Sequence, residues 1–237
     1  MSRGLGDVYK RQLLVDKPLL RMIAGPVIIS VIITALRLTG ELLGWSGEWF
    51  SKATGGIVPS GWTWLVGITW LPVLFGPWFA RALQRAGEEA PSSLKVLGLA
   101  LAGAALALVG LRTLVPVVSE HFPHFLIVVW AVGAVAAALQ VLGWPALFRV
   151  LLAYGLASRL VVVLVMLLAM WGDWGTHYDY VGMPAQFQMP LVPRFLWLAF
   201  FPQLVFWTAF TVLLGSLSAG VFLVVSRLAV GGRTSGA

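Results

Sequence analysis

Six long apolar runs constrain this chain more than any other feature it has. They lie near 19–44, 61–83, 94–117, 123–143, 146–171 and 195–228. Each, as a helix, is long enough to cross the roughly 30 Å hydrocarbon layer of a bilayer. The runs are continuously apolar and do not alternate with a period of two, so a transmembrane β-barrel is excluded. The predicted fold class is all-α: a polytopic transmembrane helix bundle of six spans, in one domain over residues 13–237. Composition agrees, with 59% hydrophobic and only 11% charged residues against roughly 25% charged in a soluble domain. Such a chain cannot cover a water-facing surface.

Residues 1–12 stand apart. Ser2 to Gln12 (SRGLGDVYKRQ) resemble a translated sequencing-adaptor remnant, and they are set aside from fold reasoning. The first apolar run is too long, and too poorly followed by a small-residue cleavage site, to be a removed signal peptide. The last run is too long for one upright span, since thirty-four helical residues reach about 51 Å. Pro202 is expected to divide it into an interfacial piece, Phe195 to Phe201, and a span that starts at the proline.

Lysine and arginine set the orientation. With the N-terminus inside, Arg3, Lys10, Arg11, Lys17, Arg21, Arg81, Arg85, Lys95, Arg149, Arg227 and Arg233 face the cytoplasm, and only Lys52 and Arg194 lie outside. Removing Arg3, Lys10 and Arg11 with the adaptor-like segment leaves the bias intact, so both termini are predicted inside. The expected location is a cell inner (plasma) membrane. The net charge of +7 then reads as a topology signal, with anionic lipid headgroups at the cytoplasmic face as its partner. No basic domain exists to bind nucleic acid. Tryptophans reinforce the boundaries: Trp45, Trp49, Trp62, Trp64, Trp171, Trp174 and Trp197 fall near the outer edge, Trp78 and Trp144 near the inner one. Small residues four apart (Gly98 and Ala102, Gly133 and Ala137, Ala153 and Ala157, Ser216 and Gly220) mark places where helices pack closely.

Charge inside the membrane is expensive, so three arginines and one glutamate become the candidate binding residues. Arg159 sits near the midplane of the fifth span, where arginine costs about 2.5–3.5 kcal/mol on insertion scales. Gly155, one turn away on the same face, leaves room for a helix or a water. Arg159 is read as a structural lock or as an anion or substrate site. Arg37 and Arg112 lie shallower and have stems long enough to snorkel outward. Glu41, four residues after Arg37, shares its face and pairs with it, or sets the charge of an outward cavity. The second run is interrupted by Pro72, Gly76 and Pro77, and broken helices of this kind build binding sites in transporters.

All three histidines fall on the predicted outer side. His121, His124, His177, Asp173 and Asp179, with Glu120, form a nitrogen–oxygen donor set for a metal. Their spacing matches no ligand motif, and Pro123 interrupts the His121–His124 pair. The outer loop from Gly172 to Pro193 is long, and long ordered loops often carry function. Its WGTHYDYVGMP run, with FPQLVFWTAFTVLLGSLSAG after it, resembles segments of bacterial multi-pass membrane proteins without a known activity. The resemblance covers the last third of the chain and implies no reaction.

Absences narrow the classes. There is no cysteine, no GxxxxGK[ST], no HExxH and no GxSxG. No histidine lies in a span, which argues against an intramembrane serine protease or a bis-histidine haem site. No cofactor is expected. Three functions remain: an accessory or structural component acting through helix contacts, with its own copies or another membrane protein as partner; a small transporter or channel-forming oligomer using Arg159; and an enzyme with an outer-face Asp/His site. The accessory reading leads.

Overall fold

The computed structural model describes residues 3–53, 61–88, 90–118, 123–180 and 187–234, with side chains from 18 to 229. Among them there is helix and no strand. The helices are α1 (Arg3–Leu42), α2 (Leu71–Arg85), α3 (Ser93–Val118), α4 (His124–Ala138), α5 (Gln140–Gly143), α6 (Pro145–Gly172), α7 (Leu191–Phe195) and α8 (Thr208–Thr234). Five segments are long and apolar enough to cross a membrane: Pro18–Leu42, Ser93–Val117, His124–Gly143, Pro145–Gly172 and Leu191–Ala229. This is a membrane protein built as a helix bundle.

The expected run at 61–83 does not form one long helix. It gives a 3-10 turn at Thr63–Val66 and then the 15-residue α2. The extended backbone of Gly67 ends the turn, and the proline in the first turn of α2 favours a helix start there, where its missing N–H goes unused. The last run departs in the opposite sense. Pro202 does not divide it: the chain stays helical through π-turns at Leu196–Phe200 and Pro202–Trp207 before α8. A π-turn widens the helix by one residue per turn, and it often marks a functional position.

At the centre of the bundle α8 packs against α2, α3 and α6, and α6 packs in turn against α1. Leu147, Leu151, Tyr154, Met166, Ala169 and Met170 of α6 are buried there against Phe75 and Phe79 of α2 and Val212 and Ala219 of α8. Glycine permits two close approaches. A Cβ on Gly220 would stand 2.8 Å from the Leu97 Cα of α3, and one on Gly76 would collide with the Gly215 carbonyl of α8. Gly133 meets Phe206 and Ala209, whereas Gly98, expected to pack, faces open space. At the same end of α3, Gln140 ties the break between α4 and α5 to the bundle. Its Nε2 donates to the carbonyls of Leu99 (3.1 Å) and Ala136 (3.2 Å).

The periphery is apolar. Leu108 and Val109 of α3, Ile28 and Ile32 of α1 and Leu160 and Leu164 of α6 are exposed, as suits helices solvated by hydrocarbon or covered by another membrane protein. Trp45, Trp49, Trp62, Trp64, Trp171 and Trp174 are also exposed, in keeping with an indole's preference for the interface.

Candidate functional site

The polar residues buried in this bundle line up between α1, α6 and the π-turns. At one end, Glu41 in the last turn of α1 has no exposed side-chain surface. It accepts a 2.9 Å hydrogen bond from Arg37 Nε and another of 2.9 Å from the backbone N–H of His177. His177 Nδ1 also lies 2.6 Å from Glu41 Oε1, yet out of line for a straight hydrogen bond. The expected i,i+4 pair of Arg37 and Glu41 therefore forms. Its arginine does not snorkel: the side chain is only 11% exposed and turned inward beside Gly67. A carboxylate with several donors is stable where a lone one would not be.

His177 reaches Glu41 because the loop after α6 is locally determined. Asp173 closes α6 in the left-handed conformation (φ 46°), and Gly175 (φ 67°) turns the chain again. Thr176 then starts a 3-10 turn over His177–Asp179 with a capping box. Asp179 accepts from the N–H of Gly175 (2.7 Å) and of Thr176 (2.8 Å), while Thr176 Oγ1 accepts from the N–H of Tyr178. These bonds satisfy donors that a short helix leaves orphaned. Burial holds the His177 imidazole below the usual histidine range, against the pull of the adjacent Glu41 carboxylate. It pushes the Tyr178 hydroxyl up, and that of Tyr180 to about 12. His177 is thus neutral near pH 7, and Arg37 and Glu41 balance each other.

Deeper in, Tyr178 Oη approaches the Thr34 carbonyl at 3.5 Å, and Tyr154 shares a 2.9 Å hydrogen bond with Ser30. Arg159 is buried beside them, 4% exposed. It donates from Nη1 to Gln203 Oε1 at 3.3 Å and stacks its guanidinium 5.1 Å from the Trp207 ring centre. Gln203 and Trp207 are one turn apart in the second π-turn, and the Gln203 carbonyl accepts from Thr208 Oγ1 at 3.2 Å. A desolvated cation over tryptophan gains about 2 kcal/mol, which offsets much of the burial cost. Among the described residues no carboxylate pairs with Arg159, and its Nε has no hydrogen-bond partner. The space expected beside Gly155 is filled by Thr208 and Thr211.

The other candidates sit apart. Arg112 is exposed on α3. Of the metal candidates, His177 and Asp179 are engaged as above, His124 begins α4, and Asp173 is exposed, 86% of its side chain free. His121 lies outside the described residues, as does Glu120. Among the described residues no three of His, Asp and Glu come together to hold a metal.

Sequence reasoning missed Gln203, Trp207, Ser30, Thr34, Tyr154 and Tyr178. A glutamine immediately after Pro202 in an apolar run was the available signal, as was the Thr176-x-x-Asp179 spacing of a capping box. Beside the loop lies a cleft of about 460 Å3 whose walls include Asp173, Tyr180, Phe187, Gln188 and Arg194. No family model, no curated protein and no solved structure matches this chain.

Proposed function

We propose that this chain is an accessory component of a cell inner membrane, acting through its helix faces and an ordered outer surface on a partner membrane protein or on its own copies, and not as a solute pathway. One observation carries the reading: the buried intramembrane charges are engaged by protein, Glu41 by Arg37 and His177, and Arg159 by Gln203 and Trp207. A conducting path would instead expose such groups to water. The apolar helix faces, with no catalytic motif or described metal cluster beside them, support the same reading.

The topology proposed with it has six crossings and both termini inside. The 3-10 turn and α2 together extend about 30 Å at the usual rises, enough for a broken second crossing. The lysine and arginine bias supports the orientation.

Cysteine placed on this cysteine-free chain tests both parts. In intact cells with a membrane-impermeant thiol reagent, Glu48→Cys should react and Val162→Cys, beside the Arg159 face, should stay protected. Rapid labelling of Val162→Cys would put water at Arg159 and replace this reading with transport, the alternative that an Arg159 without a carboxylate supports. A photo-crosslinker at exposed Leu108 should capture a membrane protein or a second copy; adducts with lipid alone would overturn the partner assignment.

A further inference from the structure

The cleft beside the outer loop carries a different chemistry from the buried polar column. It opens where α6 ends and α7 begins, next to the exposed indoles of Trp171 and Trp174. One wall holds the Arg194 guanidinium. Its Nη2 donates to the Met170 carbonyl at 2.9 Å, capping the end of α6, but its Nε is buried without a hydrogen-bond partner. Opposite it stands the Asp173 carboxylate, 3.9 Å from Arg194 and too exposed for the pair to neutralise itself firmly. Asp179 also borders the cleft, with both oxygens committed to the turn. Phe187, Met189 and Leu198 supply apolar wall, and Tyr180 brings a hydroxyl that stays protonated.

An anion acceptor and a cation acceptor side by side, over apolar walls and at an interface marked by tryptophan, match a zwitterionic amphiphile. We infer that this cleft binds a phosphate–ammonium head group of the phosphoethanolamine type, its phosphate on Arg194 and its ammonium on Asp173. The Arg194 side chain is 26% exposed and gives only one guanidinium N–H to Met170, so further N–H groups remain for a phosphate oxygen, and charge-assisted bonds of this kind are the strong ones. Asp173 distinguishes an ammonium-bearing head from a purely anionic one. The residues involved lie outside the buried column, so the inference stands independently of the accessory role.

The test uses the full chain in nanodiscs of equal phosphatidylethanolamine and phosphatidylglycerol, with the lipid carried into the gas phase identified by native mass spectrometry. Wild type should retain phosphatidylethanolamine about fivefold over phosphatidylglycerol. Asp173→Asn, isosteric and at home in the left-handed conformation, should abolish that preference while leaving thermal stability unchanged. Arg194→Gln should reduce retention of both lipids. Displacement by soluble O-phosphoethanolamine would assign the site to free head-group compounds, and its failure to displace would assign it to the lipid itself. Wild-type retention in the proportions of the bilayer, or a preference that survives Asp173→Asn, overturns the inference.

Discussion

Replacing Glu41 with glutamine gives the sharpest test of the buried column. The carboxylate accepts from Arg37 Nε and the His177 N–H, both at 2.9 Å, and lies 2.6 Å from His177 Nδ1. Glutamine fits the same space but turns one acceptor oxygen into a donor, so one of those N–H groups meets another N–H. It also leaves the inward-turned Arg37 guanidinium without its anion. Removing one partner of a buried pair costs about 3–5 kcal/mol. Arg37 keeps 11% exposure and the amide keeps one oxygen, which puts Glu41→Gln at the low end, about 3 kcal/mol. A chain of this length shifts by roughly 2–4 °C per kcal/mol, so thermal unfolding in detergent, followed by tryptophan fluorescence, should fall by about 6–12 °C. Adding Arg37→Met removes the stranded cation and should recover about half of that loss. A single substitution that unfolds within about 1 °C of wild type, or a double variant no better than the single, would refute the reasoning.

Four further outcomes follow from the structure. The imidazole of His177 is depressed below its ordinary 6.5 by burial, with Arg37, Glu41 and Asp179 as its charged neighbours. The unfolded chain therefore takes up the proton first, and the stabilisation is complete above about pH 6.5 and lost as the pH falls below it. Limited proteolysis of the loop after α6 should accelerate as the pH falls below about 6.5 in wild type and not in His177→Gln. Arg159→Met keeps the volume while removing a buried charge that holds one 3.3 Å hydrogen bond to Gln203 and a tryptophan face; the opposing effects should leave unfolding within about 1 kcal/mol of wild type, and a loss above about 3 kcal/mol in the same melt would refute that balance. Gly220→Ala drives a Cβ to 2.8 Å from the Leu97 backbone and should cost about 1–3 kcal/mol. Gly98→Ala, in open space, should be neutral or gain up to about 1 kcal/mol from helix propensity.

The sequence by itself determined the solvent of this protein and most of its helices. Long apolar runs with few charges can satisfy their backbone in lipid only as helices, so α3, α4 with α5, and α6 fall within a residue or two of the expected runs. The Arg37–Glu41 pair was legible for the same kind of reason, because i,i+4 neighbours on a helix meet whatever surrounds it. Tertiary structure decided what a linear pattern does not encode. The second run is apolar throughout, yet its helix begins only at Leu71, with a proline in its first turn and its glycine pressed against α8. Pro202 looks like a helix start, but the chain absorbs it in a π-turn that aims Gln203 and Trp207 at Arg159. The second partner of Glu41 lies 136 residues away in sequence, carried there by the capped turn after α6. Local pattern fixes which residues are helical and apolar; which buried charge meets which donor depends on how distant helices pack, because a desolvated group must take whatever partner the fold brings within reach.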